Sequence, residues 1–170
     1  NGQVSAIVGA ISDFVAIRSQ GIEVRSVLPP EMSEMPANNF AIRADAVGGD
    51  REDVIQGFLN AWAKAGYAGL VDLDATRMMV MEADPENWIN EELGTIFLQA
   101  AQGLHTPDGD VFGDVRAPIW EGVLEEMVAV DMLSATFPTS EILNDHYLGE
   151  ANDFDRAEIE AEVAAWVAAN

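Results

Sequence analysis

Cysteine is absent from the chain, which removes disulfides, thiolate nucleophiles and Cys-based zinc or iron–sulfur sites together. Histidine occurs only as His105 and His146, and neither stands at metal-motif spacing from a second histidine or a carboxylate. Both read as ordinary surface or cap residues. Basic residues are scarce: 8 Lys+Arg face 30 Asp+Glu, a formal net charge of -22. Such a field repels phosphate backbones and anionic lipid, so neither nucleic acid nor a membrane surface is an expected partner. No apolar run approaches the roughly 18 residues that a membrane-spanning helix requires, and a chain that spans no membrane is expected. A Gly-x-Ser-x-Gly elbow, a phosphate-cradling Gly-rich Lys loop and a dinucleotide fingerprint are all missing. No catalytic residue, metal or cofactor is therefore expected.

What remains is enough for a core. The 170 residues are 49% hydrophobic, which favours a folded domain over disorder. The acidic balance suits a protein bathed in salt, where self-repulsion is screened, and equally an acidic protein of any other compartment. Asn1-Gly2-Gln3-Val4 runs straight into an apolar segment without an initiator Met, so the chain is expected to begin inside a longer protein.

Residues 4–10, 22–28 and 39–43 read as short strands, each followed by Gly, Pro or Asp punctuation, and the first is apolar enough for burial on both faces. A helix over 13–19 lies between the first two, with Ser12 as its cap and Gly21 closing it. Beyond Asp45 the periodicity becomes helical. Asp50 caps a helix whose buried face is Val54, Ile55, Phe58, Leu59 and Trp62, weakened near its end by Gly66 and Gly69. Further helices are expected over 73–83, from Asp84-Pro85-Glu86 onward with Ile89, Leu93, Ile96, Phe97, Ala100 and Leu104 inside, from Pro118, and over 154–169. The four tryptophans fall on or beside these apolar faces and read as core residues.

Several stretches carry a resemblance. Gly2-Gln3-Val4-Ser5-Ala6-Ile7-Val8 looks like a Gly-x-Val-Asp-Ala strand with Ser5 in the Asp position. Residues 21–28 and 39–45 look like the segments that follow it, and residues 50–62 like a helix with a Phe-Leu-x-Ala core. Residues 139–148 look like an Asn-Asp-Tyr-Leu tail with His146 inserted before Tyr147. Together they resemble the C-terminal part of type II periplasmic solute-binding proteins of the nitrate, sulfonate, taurine and thiamine-precursor group, which serve ABC transporters.

The resemblance implies an α/β fold: a partial type II lobe of about three strands over residues 1–45, then a mainly helical C-terminal region over 46–170 packing on the lobes. It also implies a periplasmic or extracytoplasmic location, a small-molecule solute as ligand and an ABC transporter permease as partner. The first lobe's strands are absent from these residues, so a separate chain supplying that lobe is a further expected partner. Enzymes of the same fold, including decarboxylases, a desulfinase and thiamine-precursor or menaquinone biosynthetic types, form the rival expectation, and a non-catalytic helical interaction domain forms a third.

Two groups are candidates for ligand binding. Gly9, Ala10, Ile11, Ser12 and Asp13 follow the first strand and open a helix, the position at which open α/β sheets place ligands. Gly9 would admit a ligand close to backbone, and Ser12 with the helix-start amides could hold an anion, whereas Asp13 would oppose an anion and favour a cationic or hydrogen-bond-donating group. The same residues also read as a turn and a cap. Asn38, Asn39 and Phe40 offer an amide and an aromatic face for a small heterocycle, or a turn and a core residue. The carboxylates of 108–114 fail the calcium-loop test, because Phe112 and Ile119 occupy ligand positions of the EF-hand pattern, and they read as an acidic surface turn.

Overall fold

The computed structural model describes residues 4–29, 39–105, 107 and 109–170. Among these residues every regular element is helical, and no strand or sheet forms. The α/β expectation is thereby overturned. Residues 4–10, 22–28 and 39–43 have irregular backbone, and Val4, Val8, Ile22, Val27 and Ile42 are exposed, not buried on two faces. A strand makes no backbone hydrogen bonds within itself and depends on a neighbour for all of them, so an isolated strand is unstable whatever its β-propensity. A helix closes its hydrogen bonds within the segment, and the helical expectations survive where the strands do not.

Among the described residues the α-helices are α1 (Ile11–Arg18), α2 (Glu52–Val71), α3 (Leu73–Ala83), α4 (Glu91–His105), α5 (Ala117–Ala129), α6 (Leu148–Ala151) and α7 (Arg156–Ala169). Short 3-10 helices lie at Ala44–Ala46, Pro85–Trp88 and Thr139–Glu141. The described residues belong to two compact units, one built from Asn1–Ser26, Lys64–Thr106 and Asp155–Asn170, the other from Val27–Ala63 and Pro107–Phe154.

In the first unit α1 packs on α4, and α3 packs on α4, α7 and the Pro85–Trp88 turn. α1 ends as its sequence suggests, with Gly21 at φ 76° and its N–H donating to the Arg18 carbonyl. Its start differs from expectation, because Ala10 and not Ser12 is the N-cap. Asp72 caps α3, its carboxylate accepting the Ala75 N–H at 2.9 Å. Asp155 does the same for α7, where Ile159 and Val163 are buried.

The helix expected to start at Pro85 is instead two elements. Asn90 Oδ1 accepts the Leu93 N–H at 3.0 Å, so α4 acquires its own cap and begins at Glu91, leaving Ile89 exposed in the break. Gly69 allows a close crossing: a Cβ there would overlap the Gln102 amide of α4, whose Nε2 donates to the Gly66 carbonyl at 3.4 Å. These glycines therefore do not end α2, which runs on to Val71.

In the second unit the first part of α2 buries Ala63 completely, while Val54 and Phe58 are 59% and 55% exposed. The buried stripe is thus rotated away from the expected face. Residue 112 lies inside: Phe112 is buried, and its backbone is bracketed by Asn152, which accepts the Phe112 N–H at 2.8 Å and donates to the Phe112 carbonyl at 3.0 Å. The expected acidic turn therefore has an aromatic anchor at its centre. Asn60 Nδ2 donates to the carbonyls of Glu150 and Ala151 at 3.2 and 3.1 Å, tying α2 to the end of α6. Leu124 of α5 and Tyr147 complete this core.

Candidate functional site

The sequence-derived site residues part company. Gly9, Ala10 and Asp13 stand at the start of α1 in the first unit, whereas Asn39 and Phe40 belong to the second, so within neither unit do the two groups meet. Asn38 and the side chains of Ile11 and Ser12 lie outside the described residues.

Asp13 turns back on its own helix, where Oδ2 accepts the Ala10 N–H at 2.8 Å. A Cβ at Gly9 would overlap that carboxylate, so the glycine makes room for the capping contact. The expected cap is Ser12; the capping contact seen here is made by Asp13, beside the Gly9 turn. Phe40 sets its ring edge-on to Phe58 and Trp62, with centroid distances of 5.3 and 5.2 Å, and stays more than half exposed. It belongs to a surface aromatic cluster instead of a closed core.

A groove of about 450 Å³ opens in the first unit, one turn further along α1 than the residues the sequence singles out. Val15 and Ala16 of α1 and Val80 of α3 form one part of its wall. Leu93, Gly94, Phe97, Leu98 and Ala101 of α4 form another, and Asp84, Trp88 and Asn90 line the connection between the helices. The arrangement depends on Gly94. A Cβ at that position would lie 2.5 Å from Trp88 Cε3, so only glycine lets the indole rest directly on the α4 backbone. Arg77 of α3 donates to Glu91 at 2.6 Å, joining α3 to the first turn of α4. Apolar and aromatic walls with a few polar groups are the ordinary composition of a small-molecule site.

A more polar groove of about 640 Å³ lies in the second unit, lined by Glu52, Asp53, Gln56, Gly57 and Asn60 of α2 together with Glu150 and Asp153. Glu52 pairs with His146 Nε2 at 2.8 Å. The Gln56 Nε2 atom is shielded from solvent without a hydrogen-bond partner. Among the described residues no group of three or more His, Asp or Glu is arranged to hold a metal ion, and no helix is long and apolar enough to cross a membrane.

Outside the grooves, two exposed pairs perturb each other. The Arg43 guanidinium holds the Asp45 carboxyl below its ordinary range through a bidentate contact at 2.6 and 2.8 Å, while Asp45 raises Arg43. The Tyr67 phenol donates to Glu160 at 2.6 Å, which raises its pKa, and Arg156 lies 5.2 Å from the centre of the same ring. Neither pair lines either groove, and both act as surface clasps.

Sequence reasoning located α1 and Trp88 but missed the groove they share. Its signal was Gly94, a glycine within an otherwise good helical pattern, which marks close approach of another group. No family model, curated protein or solved structure matches the chain.

Proposed function

We propose that the chain binds a small organic solute reversibly, in the groove of the first unit, as the extracytoplasmic binding component of a transport system that passes the solute to a membrane permease. The observation that carries the binding reading is the groove itself: about 450 Å³, walled by Val15, Val80, Leu93 and Phe97, with Trp88 seated on Gly94. That volume falls within the roughly 300–1,000 Å³ typical of small-molecule sites. The transport setting rests on the likeness of residues 50–62 to a helix, and of residues 139–148 to an Asn-Asp-Tyr-Leu tail, of solute-binding proteins.

Native mass spectrometry followed by denaturation tests the reading. An excess over the 18.3 kDa chain that disappears on denaturation and equals a small organic molecule is expected, either as purified or after incubation with a metabolite mixture. A mass that stays at that of the bare chain under both conditions would sink the binding reading. An excess equal to a polypeptide would show instead that a second chain occupies this surface.

A further inference from the structure

We propose that the solute held in the first unit's groove is an uncharged aromatic molecule of about two or three fused rings; this rests on the reading of that groove as the solute site. Size sets the first bound. The 450 Å³ of the groove would hold roughly fifteen waters at about 30 Å³ each, or about as many ring atoms, which is the room of a small fused ring system and not of a polymer segment.

The walls set the second. α1 packs on α4, yet Ala16, Gly94 and Ala101 contribute little side-chain volume where they line the space. Trp88 rests where Gly94 has no side chain, and Phe97, one turn further along α4, is 44% exposed. Val15, Val80, Leu93 and Leu98 add aliphatic surface. A flat ring set offset or edge-on against Trp88 and Phe97 displaces water from apolar surface and gains aromatic contact beyond the area it buries. An aliphatic solute of equal size gains the area alone.

Charge sets the third. The polar groups around the groove are engaged with the chain itself. Asn90 Oδ1 accepts the Leu93 N–H at 3.0 Å, and the Arg77 guanidinium reaches Glu91 at 2.6 Å and Asp74 at 3.8 Å. Asp84 donates its N–H to the Val80 carbonyl at 2.9 Å, has further interactions of its own, and is exposed, so solvent screens its charge. A charged solute of either sign would give up hydration to apolar walls, and a matched guanidinium and a screened carboxylate return little of it. An uncharged ring loses no ionic hydration.

Four probes test the class. Indole, tryptamine and indole-3-carboxylate share a ring system and differ in charge, and cyclohexanol is uncharged without being aromatic. Each is titrated calorimetrically into the intact chain at about 0.5 M salt, where the general pull of a -22 chain on cations is screened within a few ångström. Indole is expected to bind at least tenfold more tightly than the other three. Ala101→Trp fills the groove and should abolish indole binding, and Phe97→Leu, which keeps the wall apolar but removes a ring, should weaken it at least threefold. Phe58→Leu removes a likewise exposed ring from the aromatic cluster of the second unit and should leave it unchanged. Circular dichroism verifies that the helices persist in all three variants.

Equal or tighter binding of tryptamine or indole-3-carboxylate would overturn the uncharged class, and equal binding of cyclohexanol the aromatic one; loss of that binding in Ala101→Trp would leave the groove standing as a solute site. Indole binding that survives Ala101→Trp and disappears in Phe58→Leu would move the site to the second unit and overturn the proposal. If no probe binds, the proposal falls, and native mass spectrometry after incubation with the metabolite mixture decides the underlying reading separately. A bound mass on the parent chain that Ala101→Trp loses keeps the groove as the site of another solute class, whereas no bound mass on either chain removes both.

Discussion

Gly94→Ala should destabilise the first unit even though alanine is the better helix former. In an unobstructed helix interior the exchange gains about 0.8–1.0 kcal/mol, because glycine gives up more backbone freedom on folding. At residue 94 the new Cβ would stand 2.5 Å from Trp88 Cε3, 2.8 Å from Cζ3 and 3.0 Å from Cδ2, three atoms of one rigid ring. A flexible chain could swing its end away, but an indole must move as a body, taking the Pro85–Trp88 turn with it. Overpacking of this kind costs about 1–3 kcal/mol, so the net expected effect is a loss of up to about 2 kcal/mol. Gly103, in the same helix, has nothing within 4 Å of its would-be Cβ and serves as the internal control. Gly103→Ala should be neutral or stabilising by up to about 1 kcal/mol, with the gain reduced by its position near the helix end. Urea denaturation followed by circular dichroism and tryptophan fluorescence measures both variants. If Gly94→Ala proves as stabilising as Gly103→Ala, Trp88 does not rest on α4 and the groove wall described above is wrong.

Asn152→Ala removes an acceptor for the Phe112 N–H and donors to the carbonyls of Phe112 and Leu148. At about 1 kcal/mol per net hydrogen bond plus the cost of orphaned backbone groups, a loss of about 2–4 kcal/mol is expected, visible as a thermal midpoint lowered by roughly 5–15 °C; a change below a degree would contradict the bracket. Asp72→Ala should cost about 0.5–2 kcal/mol through loss of the α3 cap, measured by urea denaturation, since Asp72 Oδ1 accepts the Ala75 N–H. Tyr147→Phe should be neutral or mildly stabilising in the same assay, because the Tyr147 hydroxyl is buried without a partner. Tyr67 should titrate above the ordinary tyrosine value of about 10, chiefly because its phenol donates to Glu160. Its contribution to stability is full below the unfolded-state value and fades as pH rises through the higher folded-state value. Absorbance at the tyrosinate band in the Tyr147→Phe background should show Glu160→Gln lowering that titration, and an unchanged curve would refute the clasp.

Much of the helical pattern was legible because the residues that set helix boundaries act locally. Asp72 marks the start of α3 and Gly21 the end of α1's turn, each through a contact within a few residues. The misplaced boundaries have local causes too: Asn90 captures the Leu93 amide and divides what reads as one helix from Pro85, and Asp13 serves Ala10 so that α1 begins before Ser12. Position around the helix axis was less legible. Val54 and Phe58 share the expected apolar face with Leu59 and Trp62, yet Ala63 is the residue fully buried. A small residue at a close crossing leaves a weak hydropathy signal, and which of two adjacent faces wins depends on partners distant in sequence.

The strands fail for a related reason. Residues 4–10 and 39–43 carry strand-like composition but sit in different compact units, and composition cannot provide the neighbour on which a ladder forms. At the start of α1, Ala10 is the N-cap and Asp13 accepts its N–H. The same helix then offers its next turn, Val15 and Ala16, to a groove completed by residues more than sixty positions later. The groove thus arises from the long-range packing of α1 on α4 and not from the local motif that introduced α1.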